Sequence, residues 1–149
     1  MVFTHKEIDA VKNSLNFIKN FISNYGENFI YDNKNDFKEM DIVSKAKKYI
    51  REQYQNSDLS VRKMAKELGI NNNYFSILFK KKTGINFVNY VTDLRLHFAK
   101  YLLNNTDEPI KSVCFSSGFN TFRHFIRVFN DKMGISPSKF RSINKKLSS

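Results

Sequence analysis

Two segments of this chain, about fifty residues apart, share one pattern of apolar residues and glycines. The first is NNNYFSILFKKKTG at 71–84 and the second is NTFRHFIRVFNDKMG at 120–134. Residues 50 positions apart correspond here: Phe75 with Phe125, Leu78 with Val128, Phe79 with Phe129, Gly84 with Gly134 and Ile85 with Ile135. An upstream stretch repeats at a distance of 49: Val61 with Ile110, Met64 with Val113, Ala65 with Cys114 and Gly69 with Gly118. The apolar framework returns while most polar residues change, which predicts a repeated fold with two different surfaces.

Each copy has a small residue, Ala65 or Cys114, followed four positions later by a glycine. Two helices that cross steeply over a short turn need a small side chain at their contact and a glycine where the first helix ends. A different helical hairpin could imitate one such copy. Two copies with variable polar positions favour a helix-turn-helix that occurs twice.

Helix start and stop signals predict an all-α fold after residue 42, without a convincing strand pair. Seven helices are expected, and the first is an amphipathic one from Ile42 to Tyr54. The next three are a helix capped by Ser60 and stopped at Gly69, a helix capped by Asn71 or Asn72, and a long helix capped by Asn86. The last three are a helix with Pro109 at its first position, a helix capped by Thr121, and a short helix, PSKFR, that starts at Pro137 and is followed by a frayed tail. The first helix-turn-helix then covers about 60–84, the linker helix about 86–105, and the second helix-turn-helix about 109–134.

The first 41 residues are predicted to form a separate part of the chain. Ile8, Val11, Leu15, Ile18 and Ile22 follow a three-four spacing that predicts an amphipathic helix. Its apolar stripe fits a homodimer seam, and it fits packing against another domain equally well. The polar stretch 26–41 is predicted to be a linker, so the segment is either a dimerisation helix or the remnant of an upstream domain.

Charge is distributed unevenly along the chain. The net charge is +11 overall, with −2 in residues 1–42 and +13 in residues 43–149. A basic domain of this kind favours a polyanionic partner, with nucleic acid ahead of an anionic membrane surface.

Several functional classes lack their sequence signals. No apolar run is long enough to cross a membrane, and the start has no signal-peptide core, so a cytoplasmic location is the default expectation. The single cysteine and three scattered histidines predict no disulfide, metal site or cofactor. Without a glycine-rich phosphate loop or a catalytic triad, an enzyme is disfavoured.

Six motifs together resemble the DNA-binding domain of the AraC/XylS family of bacterial transcription regulators. They are VRKMAKELGI (61–70), FKKKTG (79–84), LRLHFAKYLL (94–103), IKSVCFSSGF (110–119), FRHFIRVF (122–129) and GISPSKFR (134–141). The resemblance covers about residues 43–143 and implies two helix-turn-helix subdomains on a rigid connecting helix. It also implies transcription activation, with RNA polymerase as a further partner. The family commonly has alanine at the position of Cys114, larger or charged residues at those of Ser116 and Ser117, and often lysine at that of Asn130.

The family's pattern also implies which residues contact DNA. Base-edge candidates on the first recognition helix are Asn72, Asn73, Ser76 and Ile77, and those on the second are Thr121, Phe122, Arg123, Ile126 and Arg127. Asparagine can hydrogen-bond adenine, isoleucine can contact a thymine methyl group, and arginine commonly binds guanine. The asparagines could instead cap the helix, and either arginine could bind a phosphate. Candidates for phosphate contacts are Tyr74, Lys80, Lys81, Lys82 and Lys132.

Overall fold

A computed structural model describes the backbone of residues 4–148, and it describes their side chains except for those of residues 17–33. The described part is helical, with α1 (His5–Gln53), α2 (Val61–Leu68), α3 (Asn72–Thr83), α4 (Phe87–Asn105), α5 (Ile110–Ser116), α6 (Phe122–Met133) and α7 (Pro137–Leu147). The chain separates into two compact units, residues 1–41 and residues 42–149. The all-α prediction, with two helix-turn-helix subdomains, is confirmed.

Residues 26–41 differ from the predicted linker, because helix α1 includes them. The stretch has no proline, and Gly26 is its one glycine. Intrinsic helix propensities of other residues differ by less than about 0.7 kcal/mol each, and helices propagate readily once nucleated. A polar, asparagine-rich composition was therefore too weak a signal to end the helix.

The predicted caps Ser60, Asn86 and Thr121 are present, and Ser136 caps α7 in the same way. The side chains of Ser60, Asn86, Thr121 and Ser136 each accept a hydrogen bond from the backbone N–H three residues later, at 2.8–3.2 Å. These bonds satisfy N–H groups that the first helical turn leaves unpaired. Glycines at 69, 84 and 134 end α2, α3 and α6 in the left-handed conformation, with φ of 67°, 82° and 74°.

Two boundaries near the second helix-turn-helix differ from expectation. Pro109 is the N-cap of α5 rather than its first helical residue, because its ψ of 143° is extended. Helix α7 continues to Leu147, where a frayed tail was predicted. Lys145 of α7 forms an ion pair with Asp107, a contact from a distant part of the sequence that supports the extension.

Two hydrophobic cores lie on either side of one helix, α4. The first core holds the end of α1 together with α2 and α3, and α4 contributes Phe87 and Val91 to it. The second core holds α5 and α6, with Phe140 of α7 packed against it, and α4 contributes Leu96, Ala99, Leu102 and Leu103. Helix α4 therefore belongs to both subdomains.

The repeat extends further along the chain than the apolar pattern indicated. Tyr90 of α4 packs edge-on against Phe79, with ring centroids 5.2 Å apart, and Phe140 packs likewise against Phe129 at 5.5 Å. Tyr90 and Phe140 are 50 residues apart, as are the N-caps Asn86 and Ser136. Each repeated unit thus has a third helix that packs behind its second helix.

Candidate nucleic-acid interface

Helix α3 presents a buried face and an exposed face. Phe75, Leu78 and Phe79 are buried, and the two phenylalanines belong to the first core. On the other face Ile77 is 70% exposed and Tyr74 is 43% exposed. A large apolar side chain with that exposure, on a helix anchored by its opposite face, is available for contact with a partner.

The three consecutive asparagines before this face have separate positions. Asn71 is the N-cap, since its Oδ1 accepts hydrogen bonds from the N–H groups of Asn73 at 2.8 Å and Tyr74 at 3.2 Å. Asn72 and Asn73 lie in the first turn of α3 with exposed side chains. The asparagines could have capped the helix instead of contacting DNA. Asn71 takes that capping role, and it was not among the base-edge candidates.

The remaining candidates on α3 lie along its length. Ser76 is half-buried, one turn after Asn72 and Asn73. In the last turn, Lys80 and Lys81 are exposed and Lys82 is half-buried. Positive charge at this end of the helix also complements the partial negative charge of the helix dipole.

Helix α6 has the same division into two faces. Phe125 and Phe129 are fully buried, whereas Arg123 and Arg127 are exposed and Phe122 is 37% exposed. A shallow concave surface is lined by Thr121, Arg123, His124, Ile126 and Arg127. Four of these five are predicted base-edge candidates, so the structure brings them together on one surface of α6.

His124 is the fifth residue of this surface and was not a candidate from the sequence. Nη2 of Arg127 lies 3.1 Å from Nδ1 of His124, so the guanidinium donates to the imidazole when the ring proton is on Nε2. The His124 ring also lies 6.0 Å from that of Phe119. The three-residue spacing of His124 and Arg127, which places them on one helix face, could have indicated the pair.

Lys132, a predicted phosphate candidate, has a partner within the protein. Its Nζ lies 3.1 Å from Oδ1 of Asp93 on α4, and both side chains are about half exposed. Exposed ion pairs contribute at most about 1 kcal/mol, so a phosphate could compete for this lysine.

Small residues lie directly behind α6. Cys114 is buried, and its Sγ lies 3.7 Å from the carbonyl oxygen of Thr121, the N-cap of α6. Burial raises the pKa of the Cys114 thiol to about 11, which keeps it protonated. Ser117 is also fully buried, and its hydroxyl donates to the carbonyl of Val113 at 2.7 Å. Serine is accommodated at this position by a local hydrogen bond.

The fold and its two exposed helix faces define a class of protein. Two helix-turn-helix units share helix α4, and each unit exposes the polar face of its second helix. This is the architecture of a DNA-binding domain with two recognition helices, and double-stranded DNA is the partner of this class.

Comparison with known proteins identifies the family. A family model described as a helix-turn-helix domain matches residues 64–143, and the chain belongs to that family. The Msm operon regulatory protein of Streptococcus mutans is 35% identical over 99 residues, which are 66% of this chain and 35% of that protein. The arabinose operon regulatory protein of Escherichia coli is 33% identical over 100 residues, which are 67% of this chain and 34% of that protein. The predicted membership of the AraC/XylS transcription regulators is confirmed.

A solved structure supports the same assignment. The C-terminal domain of AraT, a response regulator from Geobacillus stearothermophilus, is similar with a TM-score of 0.67 and 32% identity, over 68% of this chain and 84% of that one. The family consists of transcription regulators rather than enzymes. The chain spans about a third of the length of the two operon regulators. Among the described residues, no helix combines the length and apolar character needed to cross a bilayer.

Proposed function

We propose that this protein regulates transcription by inserting α3 and α6 into successive major-groove segments on one side of a DNA duplex. The observation that carries the proposal is the pair of exposed faces backed by one repeated buried framework. The 19 residues of α4 correspond to about 28 Å at 1.5 Å per residue. Successive turns of the major groove lie about 34 Å apart, which is a compatible separation.

Each recognition helix supplies a different chemistry. On α3, Asn72, Asn73 and Ser76 are proposed to hydrogen-bond base edges, and Ile77 to contact a thymine methyl group. On α6, Arg123 and Arg127 are proposed to bind guanine. This difference is what two adjacent, non-identical base segments would require.

Other residues on the same surface complete the proposed interface. Thr121, Phe122 and Ile126 are assigned to contacts beside the guanines. The proposed phosphate contacts come from Tyr74, Lys80, Lys81 and Lys82. Lys132 is proposed to contact a phosphate as well, after its ion pair with Asp93 breaks. Phosphate contacts supply affinity and register, whereas base contacts supply sequence preference.

The regulatory role is proposed to be activation in the cytoplasm, with RNA polymerase as a further partner. Ile8, Val11 and Leu15 are exposed on α1, which supports a homodimer through this helix. Ile18 and Ile22, predicted for the same seam, lie outside the described side chains. Sedimentation of Leu15→Asp beside Asn13→Asp tests the dimer, which is rejected if both variants keep the mass of the parent.

Selection of bound duplexes from a random pool tests the DNA-binding proposal. We expect one enriched sequence with two separated base-specific segments. On that duplex, the logarithm of the binding constant should fall with the logarithm of salt concentration, with a slope of about −0.9 per phosphate contacted. Equal or tighter binding to single strands or to anionic vesicles would instead support a non-specific basic domain.

A further inference from the structure

The turn between α1 and α2 in the first subdomain contacts the second helix-turn-helix directly. This turn follows α1 and comprises residues 54–57. Nε2 of Gln55 donates to the carbonyl of Ser116 at 3.3 Å, and Nδ2 of Asn120 donates to the carbonyl of Ser57 at 3.4 Å. Ser116 and Asn120 flank the turn between α5 and α6. The two subdomains are therefore joined by side-chain contacts as well as by helix α4.

One arginine of α4 binds the same turn. Nε of Arg95 donates to the carbonyl of Tyr54 at 2.7 Å, and its Nη2 donates to the carbonyl of Asn56 at 2.9 Å. Arg95 lies between Leu94, which packs against the first core, and Leu96, which belongs to the second. Burial lowers the pKa of Arg95. Guanidinium groups titrate far above neutral pH, so both hydrogen bonds are charge-assisted and about twice as strong as neutral ones.

Gly118 completes the contact from the side of the second helix-turn-helix. Its φ is +97°, and a Cβ there would lie 2.4 Å from the carbonyl oxygen of Tyr54 and 2.9 Å from Nε of Arg95. The Tyr54 ring packs edge-on against Phe98 of α4, with centroids 6.0 Å apart. The glycine lets the backbone approach a carbonyl group that the arginine already holds.

This set of contacts acts at the point where the two cores meet. Helices bend readily over their length, so α4 alone would permit small rotations between the subdomains. A second connection beside α4 removes that freedom. We call this set of contacts the Arg95 junction. It comprises Arg95, residues 54–57 and residues 116–120, and it therefore contains main-chain groups from both subdomains.

We propose that the Arg95 junction fixes the spacing and rotation of α3 relative to α6 and thereby selects one separation between two DNA segments. Arg95 is then a positioning residue for specificity. The inference rests on the proposed function, in which both helices contact one duplex. Each inserted base pair moves the second segment by about 3.4 Å and rotates it by about 34°, so a rigid domain would lose the contacts of one helix.

Binding to duplexes with altered spacing tests the inference. The selected duplex is compared with versions that carry one base pair more or fewer between the two segments. We expect the parent protein to lose at least about tenfold in affinity on either change, equivalent to about 1.4 kcal/mol. For Arg95→Gln we expect this penalty to fall below about threefold. Arg51→Gln, which removes an equal charge at an exposed position of α1, should retain the parent's penalty.

Two results would overturn the inference. One is an Arg95→Gln variant that folds, as judged by helical circular dichroism, and keeps the parent's spacing penalty. The other is a parent protein that tolerates both spacings equally. Arg95→Lys provides a graded variant, because lysine keeps the charge and lacks the paired donors of the guanidinium group.

A measurement without DNA separates this inference from the proposed function. Spin labels at Lys80→Cys on α3 and Asn130→Cys on α6, in a Cys114→Ala background, report the distance between the recognition helices. We expect a narrow distance distribution in the parent and a broader one in Arg95→Gln. Distributions of equal width would refute the junction, even if every duplex failed to bind. A broadened distribution in Arg95→Gln, together with no binding of any duplex by the unlabelled parent protein, would support the junction and reject the proposed function.

Discussion

The contact between Arg127 and His124 shows how one residue of the recognition surface is held. An exposed arginine side chain has many rotamers, and fixing it on binding costs entropy. The 3.1 Å contact with Nδ1 of His124 restricts Arg127 to fewer arrangements before DNA arrives. This pre-organisation supports the proposed contact of Arg127 with a base edge.

Replacement of Arg127 by alanine is expected to weaken binding mainly at one base pair. A bidentate contact with guanine contributes about 1–3 kcal/mol of discrimination, so the preference at that position should relax by this amount. Binding is measured on the selected duplex and on each single-base substitution of it. Arg51→Ala serves as the control for lost charge. A uniform loss on every duplex would assign Arg127 to a phosphate.

At the scale of the element, α3 and α6 are equivalent in framework and different in surface. Both begin at a polar N-cap and end at a glycine with positive φ. Both bury phenylalanines one turn apart, and these rings pack against each other at 5.5 Å in α3 and 5.8 Å in α6. The caps position the first turn, where the base-edge candidates Asn72, Asn73 and Arg123 lie. On α3 the cap, Asn71, and the base-edge candidates Asn72 and Asn73 are therefore neighbours with separable effects.

The asparagines of α3 allow those effects to be separated by experiment. Asn71→Ala removes two hydrogen bonds to backbone N–H groups and should lower the free energy of unfolding by about 1 kcal/mol. Asn72→Ala should change stability by less than about 0.5 kcal/mol, because the side chain is exposed. It should instead alter base preference in the first DNA segment.

Denaturant unfolding and selection from the random pool measure the two quantities. The assignment of roles fails if Asn72→Ala is the less stable variant of the two.

The elements predicted correctly were those with strong local signals. Caps, glycine stops and helical periodicity located α2, α3, α4 and α6. The prediction failed at residues 26–41 and at the end of α7, where local signals were weak and small propensity differences decide little. The missing information is which distant residues come into contact. Asp107 pairs with Lys145, 38 positions later, and this pairing lowers the pKa of the Asp107 carboxyl group.

At the scale of the whole molecule, Gly69 and Gly118 occupy equivalent places in the repeat and differ in their surroundings. Both have positive φ, 67° and 97°. A Cβ at Gly69 would meet no atom of the described residues within 4 Å beyond its immediate neighbours, whereas one at Gly118 would meet the Tyr54 carbonyl at 2.4 Å. Only the second glycine lies in the Arg95 junction.

Alanine is therefore expected to cost more at Gly118 than at Gly69. Both variants incur the strain of positive φ, about 1–2 kcal/mol. Overpacking at Gly118 should add about 1–3 kcal/mol, since two of the obstructing atoms, the Tyr54 carbonyl oxygen and the Gln55 Cα, belong to backbone. Unfolding of both variants by urea measures the difference. Equal destabilisation would mean that the subdomains do not approach each other at this turn.

The candidate surface was predicted in part from the sequence. The repeated framework separated buried phenylalanines from variable polar positions, and the resemblance to a family assigned those positions to DNA. The sequence could not show that Lys132 pairs with Asp93, and for His124 and Arg127 it offered only a spacing that places both on one helix face. Those contacts depend on which rotamers and helix faces meet after folding.

The sequence by itself determined the repeat, most of the caps, the helical class and the preference of a basic domain for a polyanionic partner. These properties depend on the spacing of residues, which is local, and on net charge, which is a sum over the residues of the chain. Tertiary structure decided that α4 serves two cores and that Arg95 and Gly118 join the subdomains. Such features arise from contacts between residues dozens of positions apart, such as Arg95 with Tyr54, and no local periodicity encodes which of these contacts form.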